Sequence, residues 1–273
     1  MYSFREYVQA ESLSQAYELL EESRRNIILG GCLWLKMGRK NYGKAIDLSA
    51  LDLSYIKEQN DFLEIGAMTS LRDLETSPLL KNIWGDYFSA SLGNIVGCQF
   101  RNSATLGGSL WGRFGFSDIA AALLALGGEI CLYHQGRISV EDFLLYGASG
   151  RDIIEKIIIP KDFRQAAYQR MSNSATDFPV LIASAAYCEN SGLWRLVLGA
   201  RPQRAGLCLL AQDFLAQYLP QSSDPEGIIA QACQIAGEEL HLGSNLRADG
   251  EYRRSIAPVL LSRAIGEVLN NGK

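Results

Sequence analysis

Two glycine pairs, in Leu29-Gly30-Gly31-Cys32 and Thr105-Leu106-Gly107-Gly108-Ser109, limit what this chain can fold into more than any other feature. Each follows an apolar or extended stretch, and every glycine beyond a helix cap adds chain entropy that folding must overcome. The expectation is two tight turns whose backbones something approaches closely. Each could present consecutive N–H groups around a concave bend suited to anionic oxygens, and two such turns converging would hold a diphosphate. Taken singly, either pair is also what an ordinary turn looks like. Neither fits the dinucleotide pattern G-x-G-x-x-G or the P-loop pattern G-x-x-x-x-G-K-[ST], which disfavours a nicotinamide or triphosphate site of the usual construction.

The elements around these pairs alternate. Ser12 with Gln15 makes a capping-box start, and Leu13, Ala16, Tyr17 and Leu20 follow at helical spacing. Ile27 to Leu29 reads as a short buried strand ending at the first pair, "KAIDLS" as another, and "YIKEQNDFLEIGAM" as a hairpin around Gln59-Asn60-Asp61. "SLRDLE" and "SPLLKNIWGDYFSASL" read as helices, with Pro78 in a first turn. The second pair sits in a turn followed by irregular aromatic-glycine chain. A helix starting near Ser117-Asp118 then leads into the strand "EICLYH" and the turn "QGR". Beyond about residue 160 the pattern changes to the strands "QAAYQRM", "VLIASAAYCE" and "LWRLVLGA", then helices from Gln212 onward. That shift predicts an α+β chain of two domains, 1–160 and 161–273.

Composition excludes several classes. At 273 residues and 48% hydrophobic the chain can bury a substantial core. Its net charge is −4, with Lys and Arg scattered, so nucleic acid is not an expected partner. The charged start does not read as a signal peptide. The apolar runs are broken by glycine and fall short of the roughly 20 residues a membrane helix needs, so no membrane insertion and a cytoplasmic location are expected. Six widely spaced cysteines and two isolated histidines give neither a metal site nor an iron–sulfur cluster on this chain. No acid–base constellation emerges, and no catalytic residue is assigned.

Read together, the motifs resemble those of a family. "LGGCLWL" looks like A-G-G-[TS]-x-L, "RNSATLGGS" matches R-N-x-A-T-[IL]-G-G-[NS] almost throughout, and "SDIAAALLALGGEI" resembles S-D-L-x-P-x-L-L-A-L-G-A. These are motifs of the FAD-binding medium subunit of molybdenum hydroxylases, the xanthine dehydrogenase and carbon monoxide dehydrogenase group. "DIIEKIIIP", "AAYQRMSNSATDFP", "LVLGARPQRA" and "LGSNLRADGEYRR" extend the resemblance over nearly the whole chain.

The resemblance implies a two-domain FAD-binding fold of the PCMH (vanillyl-alcohol-oxidase-like) type, with two α/β subdomains in 1–160 and a C-terminal antiparallel sheet plus helices. It also implies FAD between the domains. Ile28, Leu29, Gly30, Gly31, Cys32, Leu33 and Trp34 would wrap the diphosphate and ribityl region, and Thr105, Gly107, Gly108 and Ser109 would bond it from the other side. Val96 and Phe100 would line the pocket, Trp111 and Asp118 would lie along the cofactor, Ile153 and Ile154 would meet the flavin ring, and Gln169 falls where relatives often carry Lys. Each has a plainer reading: Asp118 as a helix-start carboxylate, Ile153 and Ile154 as strand core, the tryptophans as covering aromatics. The partners implied are a large subunit holding the molybdenum cofactor, a small subunit holding [2Fe-2S] clusters, and a terminal acceptor such as NAD. Cys32 in place of a hydroxyl residue, Gln169 in place of a cation and the aromatic "WGRFGFSD" depart from the pattern. They keep two alternatives in view, a flavin-free assembly subunit and a stand-alone flavoprotein reductase.

Overall fold

The computed structural model describes residues 2–271, and its strands sort into three sheets. The first holds β1 (Ser3–Gln9), which the sequence reading did not anticipate, then α1 (Leu13–Glu21), β2 (Ile27–Leu29) and β3 (Asn41–Asp47), in the parallel order β1-β3-β2. Ser12 caps α1 by accepting from the Gln15 N–H, while Ala16 and Leu20 pack in one core with Ile46 and Leu48. The short parallel strand β2 ends at Leu29 and delivers the first glycine pair directly from the sheet edge.

In the second sheet, β4 (Ile56–Glu58) and β5 (Phe62–Gly66) form the expected hairpin. Helices α2 (Leu71–Thr76), α3 (Pro78–Trp84) and α4 (Tyr87–Leu92) follow, each short and each burying one apolar side. The turn expected at the second pair is instead a helix, α6 (Leu106–Trp111), preceded by α5 (Cys98–Ser103), while the aromatic-glycine chain from Gly112 to Ser117 is irregular as expected. Tertiary bonds outweigh the poor helix propensity of two glycines here. Leu106 and Gly107 donate to the carbonyls of Thr69 and Ala67, Thr105 accepts the Gly108 N–H, and Leu106 and Leu110 are fully buried. Arg101 accounts for the residues before the pair: its guanidinium grips both Glu75 oxygens at 2.6 and 3.0 Å and the Ile95 carbonyl at 3.1 Å, tying α5 to α2. After α7 (Asp118–Ala125) come β6 (Glu129–Leu132), β7 (Gly136–Ser139), α8 (Val140–Tyr146) and β8 (Ile154–Pro160), completing an antiparallel sheet ordered β4-β5-β8-β6-β7.

The third sheet is antiparallel, β12-β11-β10-β9, from β9 (Gln165–Ser172), β10 (Pro179–Cys188), β11 (Leu193–Gly199) and β12 (Gly206–Leu207). Helices α9 (Leu209–Tyr218), α10 (Pro225–Glu239) and α11 (Gly250–Asn271) follow it. Strand alternation divides its side chains between two cores. Ile182 and Ala186 share the core of α7, whereas Leu181, Ala183 and Ala185 share that of the C-terminal helices. Along β9 the same rule places Ala166 and Tyr168 with α7 and Ala167 on the opposite side.

Candidate functional site

A cavity of about 530 Å³ opens between the end of β2, the start of α6 and the start of β8. The residues from Ile28 to Trp34 form one wall, Phe100, Thr105, Gly107, Gly108, Ser109 and Trp111 a second, and Ile153 with Ile154 a third. Of the residues expected at the site, only Val96, Asp118 and Gln169 do not line it.

The two glycine pairs meet, but they play different parts. A Cβ on Gly30 would lie 2.8 Å from Thr105 Oγ1 and 3.5 Å from the Gly108 Cα, so the two backbones pack against one another. On Gly31 it would fall 1.8 Å from the Ser103 carbonyl oxygen, and on Gly107 2.9 Å from Ala67 Cβ. Among the described residues, no N–H from Gly30 to Leu35 has a hydrogen-bond acceptor within the chain. Cys32 at φ 58° puts a left-handed bend in this run, the backbone form in which successive N–H groups can share one concavity. Thr105, Gly108 and Ser109 form the facing wall, where the Gly108 and Ser109 donors are engaged within the chain. The Gly108 and Ser109 N–H groups donate to Thr105 Oγ1 and the Thr105 carbonyl, and Ser109 Oγ donates to that same carbonyl at 2.8 Å. Cys32 likewise spends its thiol on the Gly30 carbonyl at 3.2 Å, and burial, with Asp47 adding to it, raises the thiol's pKa.

A smaller recess of about 50 Å³ adjoins the cavity and shares with it Trp34, Phe100, Ser109 and Phe114. Val96 and Asp118 lie here. Its rim is aromatic: Trp34 stands 5.2 to 5.7 Å from the rings of Phe114, Phe116 and Phe178, and Phe116 is 4.3 Å from Phe178. Ser117, not Asp118, caps α7 by accepting the Ala120 N–H. Asp118 instead receives the Tyr168 hydroxyl at 2.7 Å and lies 3.4 Å from Arg170 Nε. Burial raises its carboxyl to about 6, against the pull of Arg170 and Tyr168. Gln169 departs from expectation: its amide bonds Glu267 of α11 at 2.9 Å, on the face of β9 turned from the cavity. The cation at this recess is the next residue, Arg170. The alternation Ala166, Tyr168, Arg170 was the available signal, since a one-residue shift along a strand exchanges faces. Sequence reasoning also passed over Arg151 and Asp152 in the main cavity wall.

These residues suit a dinucleotide of the FAD kind. An unpartnered row of six backbone donors meets the need of a diphosphate, glycines leave no Cβ in the cradle, and the cavity of about 530 Å³ beside them is lined mainly by apolar side chains. Among the described residues, no group of three or more His, Cys, Asp or Glu is placed to hold a metal ion, and no helix is long and apolar enough to cross a membrane.

Comparison with known proteins agrees with this geometry. Residues 2–162 match the family described as the FAD binding domain in molybdopterin dehydrogenase. The uncharacterized protein YgfM of Escherichia coli K12 is 25% identical over 260 residues, covering 94% of this chain and 93% of that one. The glyceraldehyde dehydrogenase medium chain of Sulfolobus acidocaldarius is 24% identical over 279 residues, covering 96% and 97%. In solved structures the fold recurs in quinoline 2-oxidoreductase from Pseudomonas putida 86, with a TM-score of 0.86, 21% identity and 98% and 97% of the chains covered. It recurs also in carbon monoxide dehydrogenase from Hydrogenophaga pseudoflava, with a TM-score of 0.84, 20% identity and 97% of each chain covered.

Proposed function

The chain belongs to the family of FAD-binding domains of molybdopterin dehydrogenases, and from that premise we propose that it is the electron-relay subunit of a molybdenum hydroxylase-type complex. On this reading substrate would be oxidised on a large partner holding the molybdenum cofactor, and FAD held by this chain would supply the redox link between iron–sulfur clusters of a small partner and an acceptor such as NAD. The observation that carries the reading is the row of unpartnered N–H groups from Gly30 to Leu35 at the head of a cavity of about 530 Å³.

The chain's own residues bind and orient rather than react. The Gly30 to Leu35 backbone would hold the diphosphate, with Thr105 and Gly108 packed against Gly30 from behind. Ile153 and Ile154 supply apolar wall, and Trp34 with Phe114 and Phe116 shields the recess from water. Bound FAD supplies the chemistry, since it exchanges electrons both singly and in pairs. No acid–base pair is needed on the protein, which is consistent with a cavity lined mainly by apolar side chains and glycine.

The test is to denature the purified chain and identify released flavin by chromatography, then to mix the folded chain with partner subunits. FAD at one per chain is expected, and the mixture should couple substrate oxidation to reduction of a soluble acceptor. Release of FMN, or no flavin from a chain folded with FAD supplied, would remove the cofactor assignment. Turnover of an organic substrate by the chain alone, at a rate on the order of 10 per second, would remove the relay.

A further inference from the structure

Where the chain leaves α6 it passes along the rim of the main cavity: Trp111, Gly112 and Phe114 line it, and Arg113 among them does not. Arg113 is held at φ 44°, a left-handed conformation that costs a residue with a side chain roughly 1 to 3 kcal/mol, so the fold gives up stability to place this guanidinium. The side chain lies against Gly147 at the end of α8, with a single long bond of 3.5 Å to the Phe143 carbonyl. Arg204 is set beside it. Its Nε donates to the Arg113 carbonyl at 3.2 Å, and its terminal nitrogens have no acceptor among the described residues. Neither arginine has a carboxylate within ion-pair distance among those residues. Burial, and the Arg204 charge after it, lowers the Arg113 pKa, as follows when two cations are brought together without an anion. Apolar side chains flank the pair: Trp111 is 42% exposed with its ring 6.0 Å from that of Phe143, and Leu145 and Tyr146, the last residues of α8, are 52% and 76% exposed. Solvent-facing Trp, Tyr and Arg together are the composition of a binding hot spot. Leu193 and Leu210 are exposed too, but they line no part of the cavity.

We propose that Trp111, Arg113, Leu145, Tyr146 and Arg204 form the docking surface for the electron-donating protein, which sets a carboxylate into the Arg204 fork and packs an apolar segment on Leu145 and Tyr146. The assignment rests on the electron-relay reading above. Charge selects the chemistry of the occupant. With Nε of Arg204 anchored, its terminal N–H groups are held in the fork that grips a carboxylate by two parallel bonds. The chain carries a net charge of −4, so an acidic protein is repelled by its surface as a whole and is oriented by a local pair of cations. Position selects the occupant's role. Among the described residues no group of three or more His, Cys, Asp or Glu is placed to hold a metal ion, so on the relay reading electrons enter from another protein. Trp111 belongs both to this face and to the cavity wall, and a protein seated here therefore comes up against the cofactor cavity. The same fork has the chemistry to take a phosphate of a soluble dinucleotide acceptor, and the experiment separates the two.

The experiment loads the full chain with FAD and measures its association with the iron–sulfur subunit of its native complex, by sedimentation at low and at physiological salt. Wild-type affinity should fall as salt rises. Arg204→Gln should weaken association about tenfold at low salt and flatten that salt dependence, whereas Tyr146→Ser should weaken it about tenfold and leave the salt dependence as in wild type. Both side chains are exposed, and thermal melting with flavin content checks that each variant is folded and loaded. NADH, the probe for a dinucleotide acceptor, should react with the bound flavin at one rate in all three proteins. Wild-type affinity in both variants overturns the surface and leaves the relay intact. Slower reaction with NADH in Arg204→Gln, with association unchanged, gives the fork to a nucleotide phosphate. Loss only of self-association, or only of binding to the molybdenum subunit, gives the face to that occupant, and each of these results overturns the proposal. A wild-type chain that holds FAD yet fails to associate with the iron–sulfur subunit at either salt overturns the relay reading and this surface together.

Discussion

Asp118 carries a titration that reaches into stability. Burial raises its carboxyl to about 6, roughly two units above the ordinary value near 4. Between those values the folded chain holds a proton that the unfolded chain has released, so stability falls as pH rises through the window and stays lower above it. Wild type should therefore lose roughly 2 kcal/mol between pH 4 and 6.5 relative to Asp118→Asn, which has no proton to lose. Urea unfolding of both proteins across that range tests this, and parallel profiles would refute it. The glycines yield a ranking at the same scale. Gly31→Ala drives a methyl into the Ser103 carbonyl, backbone against backbone, and should cost at least 3 kcal/mol. Gly108→Ala meets only the Thr105 hydroxyl at 2.9 Å and should cost under half as much in thermal denaturation. Which residues reach the cavity was largely readable from motif and order. What each does there was not, because N–H groups that look alike in sequence are free at Gly30 and spent at Gly107 and Gly108, and only the Ala67 carbonyl and the Thr105 hydroxyl decide it.

Elements were legible where local chemistry and tertiary context agree. The β4–β5 hairpin, the cap of α1 and the β10–β11 hairpin follow from turn residues and alternation that their neighbours reinforce. Helix α6 was hidden because glycine argues for a turn, and the contacts that overrule it come from the Ala67 and Thr69 carbonyls. Strand β1 was hidden because its side chains are mostly exposed, leaving no buried face to mark a period. The buried Arg253 of α11 shows how one residue can hold an element in place: Nε donates to the Val180 carbonyl at 2.8 Å, and its terminal nitrogens bond the Gly243 and Ala248 carbonyls and the Asn245 side chain. Arg253→Met leaves those acceptors unpaired and should destabilise by at least 3 kcal/mol. It should also free the 243–249 loop, so that limited trypsin digestion cuts after Arg247 faster than in wild type. Unchanged melting and unchanged cleavage would mean the loop is held by other contacts, such as the Arg247 guanidinium 4.7 Å from the Phe178 ring.

At the scale of the molecule, the question is whether three sheets behave as separate folding units. The change of texture near residue 160 suggests two domains, and the chain does pass from the second sheet to the third between Pro160 and Gln165. The cores do not divide there. Helix α7 buries every one of its residues, and Ile182, Ala186 and Val197 of the third sheet sit in its core with Leu63 and Ile157 of the second. The buried Tyr87 hydroxyl crosses the same boundary, lying 2.8 Å from the Ser184 hydroxyl and donating to the Ala122 carbonyl. Removing residues after 162 would expose that face of α7, and each large apolar side chain uncovered costs roughly 1.5 to 3 kcal/mol, comparable with a sizeable part of a domain's whole stability. The recess would go with it, because Arg170 and Phe178 arrive on β9 and the loop after it. The expected outcome is a single cooperative transition in calorimetry of the flavin-free chain, with the calorimetric and van't Hoff enthalpies equal. The 1–162 fragment should be insoluble or molten and should not take up FAD. Two resolved transitions, or a fragment that folds and retains flavin, would show that the cavity is complete without the third sheet.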